Sequence, residues 1–573
     1  MKVVIVGGVA GGASCAARLR RLDERAGIVM VERGPYVSYA NCGLPYHVGG
    51  VIEHEASLLV ASERTLRENF AIDVRTNTEA MAIDPRAKTV TLRDTRTGAA
   101  TSESYDRLVL APGATPIRPN LPGIDLPGIF QLRTVPDARE IRSWIERGTL
   151  FLAGMNSYSG IQMRQPPRRA VIVGGGFIGL ETAENLRHRG FDVTVLELAD
   201  QVLAPLDREF ARLVESFLSM HGVRVVLDDG VAGFAPGPNG TLRVTTRSGR
   251  TLPADLVILS LGVRPDVGLA RAAGLAIGDR GGIRVDQAMR TSEPDIFALG
   301  DAVEVQDVVT GEWSLVALAG PANRQGRIAA DVIAGRKAAY RGTQGTAIVG
   351  LFGAAAAWTG ASEKALRRLG RHDFEKIYLY PNAHAGYYPG ARMVAMKLLF
   401  RRADGRLLGG QAISLDAAAA DKRISTLAMA IQMGASIDDL AECELCYAPQ
   451  FGSAKDALNF AGMVARNILD GDMAAAHWDD GGAGFVLDVR NPAELAVETV
   501  PGALNIPIGQ LRGRLGELPR DREIRIVCRS GQRAYLASRI LLQHGFTARV
   551  LSGGILARAT LEPGAGGIEA ALD

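Results

Sequence analysis

The chain has 573 residues, 47% of them hydrophobic and 22% charged, with a formal net charge of +3. That length implies three or four domains, and the composition is that of a packed globular protein. So small a charge does not point to nucleic acid, the eight histidines show no ligand spacing for a metal, and no apolar stretch approaches the ~18 residues of a membrane span.

Residues 2–33 read as strand, glycine-rich turn, helix and second strand. Met1-Lys2 runs directly into Val3-Val4-Ile5-Val6, which predicts a core strand rather than a removable leader. With an odd number of cysteines, five, this predicts a cytoplasmic location. The turn Gly7-Gly8-Val9-Ala10-Gly11-Gly12 is an irregular dinucleotide fingerprint, with Val9 where a second glycine is expected. Glu32, followed by Arg33, closes the strand Gly27 to Val31 in the place of a ribose acceptor. Ser14, Arg18 and Arg21 share one face of the intervening helix, a pattern that is usually just a solvated face. The segment Ser38-Tyr39-Ala40-Asn41-Cys42-Gly43-Leu44-Pro45-Tyr46 follows, and the position five after Cys42 is His47, so no dithiol pair exists there. Asn41 or Ser38 is expected to cap a helix whose dipole would favour a thiolate at Cys42.

A glycine–proline turn, Ala111-Pro112-Gly113, marks a crossover, a helix is predicted over Ala138–Arg147, and residues 148–165 look inserted ahead of the next strand. Residues 169–197 then repeat the opening pattern. Gly174, Gly176 and Gly179 stand at G-x-G-x-x-G spacing between strand and helix, and Glu197 ends the following strand. Glu197 suits a ribose 2′-OH and would repel a 2′-phosphate, which favours NADH over NADPH. Strands are predicted at Asp255 to Ser260 and at Asp295 to Leu299, the latter leading into Gly300-Asp301. Residues 328–465 mix strands and helices without a nucleotide fingerprint. Within them, Cys443 and Cys446 have a redox-like spacing but do not open a helix after a strand, so a packed pair of thiols is expected. A polar patch at His477 to Gly482 reads as a linker. Beyond it, the strand Ile524 to Val527 leads into Cys528-Arg529-Ser530-Gly531-Gln532-Arg533 and a helix, a loop in which backbone N–H groups, Arg529 and Arg533 would cradle an anionic persulfide.

Together these motifs resemble the pyridine nucleotide–disulfide oxidoreductases over roughly residues 1–465. The resemblance implies FAD at the first fingerprint, with Gly7, Gly11, Gly12, Glu32, Arg33, Ala111, Pro112, Gly113, Gly300 and Asp301 around it, NAD(P)H at the second, and a homodimer. The string around Cys42 resembles the coenzyme A–disulfide reductase branch. That branch implies that Cys42 alternates between thiolate and mixed disulfide, and that Ser14, Arg18, Arg21, Ser38, Asn41 and Lys455 hold coenzyme A. It also implies that Tyr387 and Tyr447, in His384–Gly390 and Tyr447–Phe451, reach the site from the other subunit. The C-terminal stretch resembles a rhodanese domain with Cys528 as the sulfur carrier. The expected fold is α/β: a FAD domain (1–112 and 250–327), a NAD(P)H domain (113–249), both Rossmann-like, an α+β dimerisation domain (328–465), a linker (466–482) and an α/β rhodanese domain (483–573). The expected activity is NADH-dependent reduction of persulfide, polysulfide or coenzyme A persulfide, the rhodanese domain delivering sulfane sulfur. Alternatives are a coenzyme A–disulfide reductase, an NADH oxidase, or a non-catalytic sulfur carrier or redox sensor.

Overall fold

The computed structural model describes residues 1–150, 168–481 and 484–562. Of the expected insertion, residues 148–150 complete the helix Val135–Leu150, longer at both ends than predicted, and the rest lies outside the described residues.

Short β-branched runs bounded by glycine make two five-stranded parallel sheets of similar arrangement. In the first, Lys2–Val6 lies between Gly27–Val31 and Arg107–Leu110, with Asp73–Arg75 and Ile296–Ala298 at the edges. In the second, Arg169–Val173 lies between Asp192–Leu196 and Leu256–Leu259, with Val223–Val226 and Ile129–Gln131 outside them. The central strands are buried on both faces, which is why they read as unbroken apolar runs. Leu256–Leu259 corrects the expected boundary at 250, because it pairs within the second sheet rather than the first.

The chain divides into two compact units, Met1–Asp200 with Val223–Thr343 and Gln201–Gly222 with Gln344–Asp573. The helix Arg208–Met220, inside the stretch expected to bind NAD(P)H, belongs to the second unit. That unit holds a five-stranded antiparallel sheet (Ala347–Leu351, Ala354–Gly360, Leu407–Ser414, Val394–Arg401, Phe374–Leu379) and a five-stranded parallel sheet ordered Ala475–Ala476, Ala548–Leu551, Ile524–Val527, Phe485–Asp488, Leu504–Asn505. The expected linker 466–482 is structured over its described residues, 466–481: it completes the helix Ala457–Leu469 and supplies the edge strand Ala475–Ala476. The two sheets are joined by side chains as well as by the chain. Tyr378 N–H donates to Ser552 Oγ at 3.0 Å, Lys376 Nζ meets Asp479 at 2.7 Å, and Arg212 donates to the carbonyls of Thr560 and Leu561 at 2.8 and 2.9 Å. Beneath them Lys397 places its ammonium 2.9, 2.6 and 2.7 Å from Asp207, Glu209 and Glu363, filling the only three-carboxylate cluster among the described residues with the geometry to hold a metal.

Candidate functional site

The two fingerprints fold alike where their glycines coincide. Gly7 and Gly174 both have φ in the left-handed range, at 96° and 112°. A Cβ at Gly12 would lie 1.9 Å from the Gly7 carbonyl, and one at Gly179 would lie 2.0 Å from that of Gly174, so each pair sets the close approach of helix to strand. The extra glycine of the first fingerprint has a structural reason. Gly11 faces another helix, Ala319–Ile333, where a Cβ at Gly326 would lie 2.3 Å from the Gly11 carbonyl. In contrast, a Cβ at Gly176 would meet nothing within 4 Å, the open space a pyrophosphate needs.

The acceptors match as well. Glu32 accepts from Gly8 N–H at 2.9 Å and Gly34 N–H at 2.8 Å, and Glu197 from Gly175 N–H at 2.6 Å and Ala199 N–H at 2.8 Å. Each carboxylate is thereby held at the end of its strand beside the turn. Glu32, Arg33, Ala111, Pro112, Gly113, Gly300 and Asp301 line one cleft of about 990 Å³, together with Val9, Gly11, Ser14, Arg18, Arg21, Ser38, Asn41 and Cys42. Its volume is at the upper end for a ligand site and fits an extended dinucleotide. Gly300 N–H is held by Gln325 at 2.8 Å, and Asp301 pairs with Arg133 at 3.2 Å, a partner that the sequence did not suggest.

Cys42 is exposed, in a 3-10 turn Asn41–Gly43 that runs into the short helix Leu44–Gly49. The expected cap is absent: neither turn nor helix has a side-chain cap, and Ser38 instead adopts φ 47° and donates its N–H to Gly8. The thiol is also not lowered. Burial pushes it up, Glu181 and Asp301 add to this, and Arg133 opposes them. Among the expected coenzyme A contacts, Ser14 bonds Asn323, Arg18 is held by Asp331 at 2.7 Å, and Arg21 is exposed.

The second unit holds the remaining predicted residues. Tyr387 and Tyr447, sixty residues apart, bring their hydroxyls within 2.9 Å of each other on an exposed surface. Lys455 is exposed just ahead of the helix Ala457–Leu469. The expectation of packed thiols fails at Cys446, which is exposed, whereas Cys443 is half-buried and accepts from Asn459 at 3.4 Å. Cys528 is buried, and its sulfur accepts from Gly531 N–H at 3.2 Å and Ala534 N–H at 3.4 Å. The cradle is thus built from main-chain donors and Arg533, which also grips Glu494 through two bonds of 2.6 Å and holds that carboxyl down to about 2. Arg529 departs from expectation: its side chain is exposed and it is held by its carbonyl, bonded to Leu556 N–H.

Two dinucleotide turns of one design, an exposed cysteine on the wall of the cleft, and a second cysteine held by N–H groups define the class: a two-nucleotide oxidoreductase with a further α/β domain attached. The chain belongs to the pyridine nucleotide-disulphide oxidoreductase family, whose model matches residues 1–326, and it is an FAD-dependent oxidoreductase using NAD(P)H. The family's dimerisation domain matches residues 346–458 and a rhodanese-like domain matches 471–558. A coenzyme A disulfide reductase of Staphylococcus haemolyticus is 31% identical over 468 residues, 82% of this chain and all of the relative. Among solved structures, reduced Bacillus anthracis CoADR-RHD aligns with TM-score 0.92 and 42% identity over 98% of each chain. A NAD-dependent persulfide reductase from A. fulgidus aligns with TM-score 0.87 and 37% identity over 97% of this chain and 99% of that one. No helix among the described residues is long and apolar enough to cross a membrane.

Proposed function

We propose that the chain is an NADH-dependent persulfide or polysulfide reductase acting through one redox cysteine, Cys42, supplied with sulfane sulfur by Cys528. The observation that carries the reading is Cys42, a single exposed thiol on the wall of the cleft that also holds Glu32 and Asp301, with His47 where a second cysteine would stand. The overall balance is NADH + H⁺ + RSSH → NAD⁺ + RSH + H₂S. The Cys42 thiolate attacks the outer sulfur, forming a new S–S bond as that of the persulfide breaks and RS⁻ leaves; two-electron reduction then cleaves the new bond, returning the thiolate and releasing sulfide, and one proton beyond the hydride of NADH completes RSH and H₂S. FAD, when bound along Gly7, Gly12, Glu32 and Asp301, supplies the two-electron exchange between nicotinamide and sulfur. Gly174, Gly176 and Gly179 receive the pyrophosphate of NADH, and the anchored Glu197 receives its ribose hydroxyls and disfavours the 2′-phosphate of NADPH.

Arg18 and Arg21, on the wall of the same cleft, suit the phosphates of coenzyme A, with Ser14, Ser38 and Asn41 nearby. The exposed Tyr387, Tyr447, Phe451 and Met429 support a homodimer in which this surface is covered and the paired tyrosines assist the partner's Cys42. The retained Cys528 and its donors favour sulfur transfer over coenzyme A disulfide reduction alone.

The test is sulfide release driven by NADH from polysulfide and coenzyme A persulfide, with coenzyme A disulfide as competitor. Cys42→Ser is expected to lose at least about 100-fold, the order set by removing an attacking nucleophile, and Cys528→Ser to lose only transfer from donors that load the rhodanese-like domain. Undiminished sulfide release by Cys42→Ser overturns the reading.

A further inference from the structure

The reaction above consumes one proton more than NADH brings, and a group near Cys42 must deliver it. This inference rests on the proposed reading. Cys42, in the 3-10 turn Asn41–Gly43, and Tyr46, in the helix Leu44–Gly49 that follows it directly, are close enough for the cysteine to act electrostatically on the phenol. The Tyr46 hydroxyl lies 3.4 Å from Glu181 Oε1, on the helix Phe177–His188 that the second fingerprint opens. Close packing holds this alignment. A Cβ on Gly49 would lie 2.0 Å from Asn185 Oδ1, so only glycine fits there. Asn185 in turn donates to the Glu181 carbonyl at 2.8 Å, and Arg189 donates to the Val48 carbonyl at 3.0 Å. The cofactor fingerprint thus fixes the helix that carries Glu181 against the turn that carries the thiol.

We propose that Glu181, acting through the Tyr46 hydroxyl, is the acid that protonates the sulfur leaving Cys42. The phenol O–H bond breaks as an S–H bond forms on the departing sulfide, and the carboxylic acid proton replaces it on the phenol oxygen. The negative charge ends on Glu181, which takes its next proton from water; no electrons change hands in this step. Burial holds the Glu181 carboxyl up at about 7 against the Tyr46 hydrogen bond, which favours the carboxylate, and Glu184 on the same helix adds to the rise, so the acid is populated near neutrality. The phenol is pushed up to about 12 by burial and by both carboxylates, so it passes a proton on without resting as an anion. The groups facing this pair are Cys42 on the preceding turn and Glu184 on the helix, while Asp301 and Arg133 act on Cys42 from the cleft side.

The test uses the holoenzyme, with rates expressed per bound flavin. Wild-type sulfide release should fall as pH rises through about 7, the value at which Glu181 titrates. Glu181→Gln should lose that limb and run about 100-fold slower on its acid side, the size of a general-acid contribution, and Tyr46→Phe should do the same. Glu181→Asp should keep a limb. An unchanged limb in Glu181→Gln, or full rate in Tyr46→Phe, overturns the proposal. A second measurement needs neither NADH nor a sulfur substrate: alkylation of Cys42 by iodoacetamide across pH. Because Glu181 pushes the thiol up, Glu181→Gln should bring the onset of alkylation to lower pH. If wild type reduces no sulfane sulfur, the functional reading fails by itself; an alkylation profile unmoved by Glu181→Gln overturns the inference whatever that result.

Discussion

Lys397 carries a full charge at 0% side-chain exposure, and only its three carboxylate partners make that tolerable. Burial alone would raise the Glu363 carboxyl, but Lys397 and then Lys376 more than offset it and hold it below its ordinary range. A carboxyl depressed in the folded state contributes stability above its unfolded value that is lost as pH falls, so wild type should lose stability below about pH 4. Lys397→Met leaves Asp207 and Glu209 buried without a cation, while Lys376 and Arg367 still pair with Glu363, and should cost about 3–5 kcal/mol at neutral pH. The sign then reverses, because protonation relieves the cost of a buried charge without a counter-ion: the variant should become more stable as pH falls from 7 to 5. Thermal unfolding of the flavoprotein at both pH values checks this, and equal losses would argue against the cage. No spacing in the chain announces it, since Lys397 and Asp207 are 190 residues apart. Cys42, Glu32 and Glu197 were legible because their neighbours in sequence are also their neighbours in space. Glu181 and Arg133 were not, because their roles depend on the packing of distant elements.

At the scale of elements, glycines that look equivalent separate by what surrounds them. Gly176→Ala introduces a methyl that meets no protein atom within 4 Å, at a backbone φ of −82° that alanine adopts freely. The variant should melt as wild type does but need about tenfold more NADH for half-maximal flavin reduction, because the methyl fills the phosphate space. Gly179→Ala would press against the Gly174 carbonyl and should lower the melting temperature as well. Calorimetry beside an NADH titration distinguishes the two. Periodicity located both βαβ units to within a residue or two, since fully buried parallel strands leave a contiguous apolar signature. It missed the strand Ala475–Ala476, where two alanines and a polar neighbourhood carry no such signature, and it assigned Leu256–Leu259 to the wrong sheet because apolarity does not specify a partner.

At the scale of the molecule, the rhodanese-like domain packs on the antiparallel sheet through Ser552 and Asp479 and on the helix Arg208–Met220 through the Thr560 and Leu561 carbonyls, so a stretch that read as a tether is part of a compact unit. The proposed dimer makes a distinct prediction. Cys42→Ser and the double variant Tyr387→Phe/Tyr447→Phe should each be impaired alone. Unfolded together and refolded, half of the dimers are mixed, and one of their two sites is whole, so about a quarter of wild-type activity should return in a two-fold assembly. Recovery of none would place the tyrosines' action within their own subunit. What the sequence by itself determined was the inventory: two nucleotide turns, two candidate cysteines and the order of the domains, each encoded by residues within a few positions of one another. Tertiary structure alone decided what raises the Cys42 thiol and that Tyr46 meets Glu181. Electrostatic and hydrogen-bonding environments are assembled from side chains a hundred or more positions apart, and no local pattern records them.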